Sequence, residues 1–170
     1  WALPFILVPV LSPKTSQKLN KKHRTTLDWA QQLVGKIRRW QPDRSLVLVG
    51  DGAFAAVPLV QRCQRKGIKV TLVSRLRFDA VLHRPPEPQP QGKRGPKPKK
   101  GKRLPTLQTI LDDNQTKLQS VKVRWYDGRT QLMEITSQTA VWYHSGKPPV
   151  PIRWVVIRDP QGKYETIALL

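Results

Sequence analysis

The stretch SLVLVGDGAF at residues 45–54 limits the fold more than any other. Leu46, Val47, Leu48 and Val49 form a short apolar run rich in β-branched side chains, which reads as a strand buried on both faces. Gly50-Asp51-Gly52 follows without a gap. An acid between two glycines at the carboxyl end of a buried strand sits on a tight, exposed corner. In open α/β sheets that corner is where ligands and metals bind. A turn role, with the carboxylate accepting backbone amides, suits the same residues. Position alone leaves both readings open.

The flanking sequence makes the strand part of a repeating pattern. Thr25 or Thr26 can cap a helix in which Leu27, Ala30, Leu33, Val34, Ile37 and Trp40 share one face, with Asp28 in its first turn and Pro42 closing it. Residues 55–66 read as a second helix, with Val57, Val60 and Cys63 buried and Gly67 as its stop. A strand is expected over residues 68–74. Strand, helix and strand within about thirty residues make a βαβ unit with parallel strands. Arg75 and Arg77 then follow at the same edge as Asp51, where a phosphate would need cations. Upstream, residues 2–10 are expected to form a buried strand and residues 12–24 a polar connection.

After Leu82 the composition changes. Residues 85–103 are rich in Pro and Gly and offer no apolar side chain to bury, so they are expected to be disordered or extended. Lys93, Arg94, Lys97, Lys99, Lys100, Lys102 and Arg103 crowd the second half of this tract and suit a phosphate backbone. Residues 104–111 read as a short helix ending at Asp112-Asp113. The remainder is a β region. Val121, Val123 and Trp125 alternate with cations, and Asp127-Gly128 signals a hairpin. Strands are expected over residues 131–135, 139–143, 152–158 and 163–169, with a turn at Asp159-Pro160-Gln161-Gly162. Glu134 and Glu165 are expected on exposed strand faces beside cations.

Charge points to the partner class. Lys and Arg number 31 against 11 acids, a net charge of +20, which favours a polyanion. Nucleic acid fits better than a membrane surface, because no basic amphipathic helix with a bulky apolar face is present. The competing reading of the charge is a ribosomal-type structural role or simple solubilisation. The single Cys63 rules out an internal disulfide, and Cys and His show no metal-ligand spacing. The longest apolar run, residues 1–11, is too short to span a bilayer and contains Pro4 and Pro9. A reducing, cytoplasmic setting is expected. His23, His83 and His144 are scattered and read as non-catalytic. Both ends of the chain read as cuts through a larger protein.

Taken in order, WALPF, TTLDWAQQLVGKIRRWQPDR, LVLVGDGAFAA, VTLVSRLRFDA, GKRGPKPKKGKRLPT and TAVWYHSGKPPVPIRWVVIRDPQGKYE resemble a DDE-type transposase of bacterial insertion sequences along essentially the whole chain. The resemblance implies an α/β, ribonuclease H-like partial domain, with a parallel or mixed sheet, flanking helices and an antiparallel β insertion. Residues 1–84 would be part of the catalytic core, 85–103 a flexible basic segment and 104–170 the insertion. It implies metal-dependent cleavage and strand transfer at transposon ends, using three carboxylates and two Mg²⁺ ions, with Mn²⁺ as a substitute. Asp51 alone carries over as a catalytic, metal-binding acid. The other two acids are expected outside this chain, which by itself is expected to be inactive. Double-stranded DNA, a homodimeric synaptic complex and a bacterial, nucleoid-associated location complete the implication. Related insertions can hold an unstacked base on an aromatic ring. Trp142, with Tyr143 and His144 beside it, is the candidate here, although burial is the commoner fate of tryptophan. The competing readings are a non-catalytic basic nucleic-acid-binding module or decayed remnant, and another ribonuclease H-like nuclease or resolvase.

Overall fold

The structure is a computed structural model that describes residues 6–89, 95–124 and 128–170. Lys93, Arg94, Trp125, Asp127 and the first residues of the expected N-terminal strand lie outside the described residues. The architecture is mixed α/β, with four α-helices and both parallel and antiparallel strand pairs among the described residues.

Residues 6–12 form no regular element, and Leu7 is 89 % exposed, so the expected strand over residues 2–10 is absent from its described part. Pro9 lacks the N–H that a strand ladder requires. The polar connection contains a short helix α1 (Pro13–Lys18), capped by the Ser12 hydroxyl. Helix α2 (Thr26–Trp40) starts at a reciprocal cap. Thr25 Oγ1 accepts from the Asp28 amide, and the Asp28 carboxylate accepts from the Thr25 amide at 2.8 Å. The Thr25 amide and the Thr25 hydroxyl, which also donates to the carboxylate at 2.8 Å, draw the Asp28 carboxyl below its ordinary pKa. Val34 is buried, and Leu27 and Ala30 pack beside it.

Strand β1 (Leu46–Gly50) pairs in parallel with β2 (Val70–Ser74), joined through a 3₁₀ turn at Gly52–Phe54 and helix α3 (Val57–Gln64). Val57, Val60 and Cys63 are buried as the periodicity requires. Burial also pushes the Cys63 thiol up to about 11. Strand β1 departs from expectation on one face. Leu46 and Leu48 pack on the core, but Val47 and Val49 are 61 % and 74 % exposed. The helices cover a single side of this two-stranded sheet, so half of the apolar run faces water.

Strand β3 (Leu82–His83), helix α4 (Leu107–Asp112) and strands β4 (Gln119–Arg124), β5 (Thr130–Trp142), β6 (Val150–Arg158) and β7 (Ile167–Leu169) follow. Strand β5 is the spine, pairing with β3, β4 and β6, while β7 pairs with β6. It is one strand where the sequence suggested two. The polar residues Thr136, Ser137 and Gln138 continue the ladder opposite β6, and Arg153 Nη2 donates to Ser137 Oγ at 2.8 Å. Strand β7 is shorter than expected, because the Asp159 carboxylate accepts the amides of Gln161, Lys163 and Tyr164 and holds them in a turn. Beyond β2 the chain pairs with β7. Ser74 and Leu170 exchange both backbone bonds, and the Leu76 amide donates to Ala168 O at 2.8 Å. The parallel and antiparallel regions are thereby hydrogen-bonded into one surface over one core.

Candidate functional site

Pairing of Gly50 with Ser74 sets Asp51 beside Arg75 at the carboxyl edge of the parallel strands. Three local features shape this corner. A Cβ on Gly50 would lie 2.9 Å from Phe54 Cβ, so only glycine lets the 3₁₀ turn fold back over the strand. Buried Ser74 donates its hydroxyl to Asp51 O and ties the corner to β2. Asp51 Oδ1 accepts the Ala53 amide at 2.9 Å and caps the turn. The turn role of Asp51 is therefore real, yet it uses one carboxylate oxygen. Oδ2 takes no hydrogen bond among the described residues.

The cations expected near Asp51 differ from each other. Arg75 brings its backbone within 3.6 Å of where a Gly52 side chain would begin, and its guanidinium reaches Glu165 at 3.4 Å. Both side chains of that pair are exposed, so it is weak and easily exchanged for another anion. Arg77 instead makes a two-pronged bond to Asp79, at 2.8 and 2.7 Å. That pairing raises the Arg77 pKa and lowers that of Asp79. Arg75 is the more available of the two. Glu134 likewise has its cation, Arg158, at 2.7 Å.

One exposed carboxylate oxygen suits a hard divalent ion as a single ligand. A two-ion site needs more. Among the described residues no three His, Cys, Asp or Glu side chains gather to hold a metal, so the residues present do not fit a two-ion site.

The basic tract lies elsewhere, along β3. Its last residues are extended and paired: Arg84 donates to Lys102 O, Gly101 to Arg84 O and Leu104 to Leu82 O, each at 2.8 Å. A Cβ on Gly101 would stand 2.6 Å from Pro85 O, so glycine permits this approach. Composition signals the absence of apolar side chains, whereas this pairing uses backbone alone. Lys97, Lys99, Lys100, Lys102 and Arg103 are exposed, and none meets a carboxylate among the described residues. Trp142 ends β5, half-buried and packed against the core. The ring presented to the basic tract is its neighbour Tyr143, 3.9 Å from Lys100 Nζ. Sequence reasoning missed this partner, and it missed His83, because their proximity arises from strand pairing. No described helix is long and apolar enough to cross a membrane.

No curated protein and no solved structure matches this chain. The model of a family described as DDE superfamily endonuclease does match, over residues 7–148, a span that includes α2, the Asp51 corner and the basic tract. With well over half of its length inside that match, the chain belongs to the DDE superfamily endonucleases, a family of metal-dependent enzymes acting on DNA.

Proposed function

We propose that this chain is part of a DNA transposase that cleaves transposon ends and joins them to a target, with Asp51 as one of its metal-binding carboxylates. The observation that carries the reading is the parallel pairing of β1 with β2, which sets a half-free carboxylate and Arg75 at one exposed edge. When bound, Mg²⁺ would stabilise charge on the phosphodiester oxygens. Asp51 would hold the ion through its free oxygen, with Ser74 and the Ala53 amide fixing the corner. Arg75 would exchange Glu165 for a phosphate. Lys97, Lys99, Lys100, Lys102 and Arg103, together with Lys93 and Arg94, would lie along the DNA backbone without reading bases. Catalysis would require acids beyond those that gather here, so the chain alone would not cut DNA.

Addition of Mn²⁺ to the isotopically labelled chain tests the metal role. Paramagnetic broadening centred on residues 50–54 and 74–75 is expected, and Asp51→Asn should abolish it. Broadening unaffected by the substitution removes Asp51 from the role. Incubation with supercoiled plasmid and Mg²⁺ should leave the plasmid intact, and nicking that Asp51→Ala abolishes would mean that the chain completes a site by itself. A second reading, a non-catalytic DNA-binding module, is favoured by one observation, the lack of a three-ligand cluster among the described residues. It requires DNA binding with no metal response at Asp51.

A further inference from the structure

Away from the Asp51 corner, the edge of β3 gathers cations around a buried histidine. Lys100 Nζ lies 3.3 Å from His83 Nε2 and 3.9 Å from the Tyr143 ring centroid. An ammonium can only donate, so Nε2 accepts and the ring proton sits on Nδ1. That Nδ1 is buried without a partner, and His83 as a whole is 7 % exposed. The imidazole and phenol rings meet edge to face, 6.1 Å apart at 88°. Pairing of residues 101–104 with β3 holds Lys100 at this place, with exposed Arg84 and Arg103 on the same edge. Lys100 thus carries a charge that no carboxylate neutralises among the described residues, which suits a phosphodiester, but in the free chain its ammonium is engaged by His83.

We propose that His83 and Tyr143 are positioning residues that seat Lys100, and that a proton on His83 releases Lys100 to a phosphate of the DNA backbone. The inference rests on the reading of this chain as DNA-binding. An imidazolium cannot accept from Lys100. Proton uptake from solvent at Nε2 therefore breaks the Lys100–His83 bond and leaves three cations and the imidazolium along one edge.

The groups facing His83 set the direction of the effect. Lys100 and Arg103 approach it from the paired segment and Tyr143 from just beyond β5, while Arg84 follows it directly in the chain. Burial first, then the charges of Lys100 and Arg103, hold the imidazole below its ordinary pKa, so it is neutral at neutral pH in the free chain. A phosphate at this edge opposes those charges and raises the pKa. A ligand that raises a pKa binds the protonated form more tightly. Affinity should therefore increase as pH falls through the pKa of the complex, and level off below that of the free chain. Each unit of difference between the two is about tenfold in affinity.

Binding of the chain to a fluorescent duplex at constant salt, from about pH 8 to about pH 5.5, tests this. His83→Gln keeps an acceptor for Lys100 and cannot titrate, while His23 and His144 remain in both proteins. The unmodified chain should gain more affinity on acidification than His83→Gln does. Lys100→Met should lose the same extra gain, and should lower the slope of log affinity against log salt by about 0.9. Parallel pH curves for the chain and His83→Gln overturn the seat but leave DNA binding standing. An extra gain that survives Lys100→Met overturns it too, even if His83→Gln does not fold. No binding by the unmodified chain at any pH overturns the DNA reading and the seat together.

Discussion

The parallel and antiparallel regions of this molecule are closed to different degrees. Strands β5 and β6 share nine paired positions, from Glu134 opposite Arg158 to Trp142 opposite Val150. They bury Trp154, Val156, Ala140 and Met133. Strands β1 and β2 share five paired positions and leave Val47 and Val49 in water. The metal-binding carboxylate proposed above, Asp51, nonetheless lies in the less closed region. Strand β7 reconciles the two, since its bonds to residues 74–76 anchor the strand behind the Asp51 corner to the larger sheet. The antiparallel region serves as the support, and the open parallel edge as the surface on which a site can be built.

The strongest way to break that comparison is at the support. Trp154 is 2 % exposed and fills the core beneath β6. Trp154→Ala should cost about 3–5 kcal/mol in urea unfolding, and should loosen amide protection in β2 as well as in β6. Its Nε1–H has no partner, so Trp154→Phe should cost clearly less, since it deletes an unsatisfied donor while keeping an aromatic ring. A loss under about 1 kcal/mol for the alanine variant would mean that the antiparallel region is not the support.

A smaller effect is expected where the parallel region is stitched from within. The Arg38 guanidinium donates to five backbone carbonyls, those of Ile68 at 2.7 Å, Lys69 at 3.0 Å, Gln41 at 2.9 Å, Pro42 at 3.1 Å and Arg44 at 2.7 Å. It thereby joins the end of α2, the turn into β1 and the turn into β2. Arg38→Ala should cost about 2–3 kcal/mol, because hydrogen bonds from a charged donor are worth more than neutral ones. Arg38→Lys should recover little, since an ammonium cannot span acceptors on both sides as a planar fork does. Full retention of stability in Arg38→Ala would reduce the residue to a solvated cation.

Much of this was legible in the sequence, for reasons that differ between elements. Helix α2 declared itself through spacing and its Thr25 cap, and the βαβ order through alternation of apolar runs with Gly67 between them. Asp51 was legible because an acid between glycines after an apolar run has few other places to be. The open face of β1 was not, since the run LVLV describes side chains and says nothing of what covers them. Two of the acceptors of Arg38, the carbonyls of Ile68 and Lys69, and the neighbours of His83 come from segments distant in sequence, and no periodicity encodes them. Strand β5 reads as two strands about Thr136-Ser137-Gln138 because a polar run commonly ends a strand, whereas the long β6 partner carries the ladder through.

The smallest expected effect sharpens the comparison most, because it concerns the face that distinguishes the two regions. Val49 and Val47 project from β1 away from the core that holds Leu46 and Leu48. Val49→Thr keeps the β-branched shape, so strand propensity is preserved and only a methyl group gives way to a hydroxyl. On an open face that exchange should change stability by no more than about 0.5 kcal/mol. Leu48→Ala, on the covered face next to it, should cost about 2 kcal/mol or more. Urea unfolding of the two variants, at several protein concentrations, reads the difference directly. A loss above about 1 kcal/mol for Val49→Thr would mean that the hydroxyl is being buried. If that loss grew with protein concentration, the covering would come from a second copy of the chain. If it did not, the two faces of β1 would be equally enclosed, and the contrast between the regions would fail at the strand that leads to Asp51.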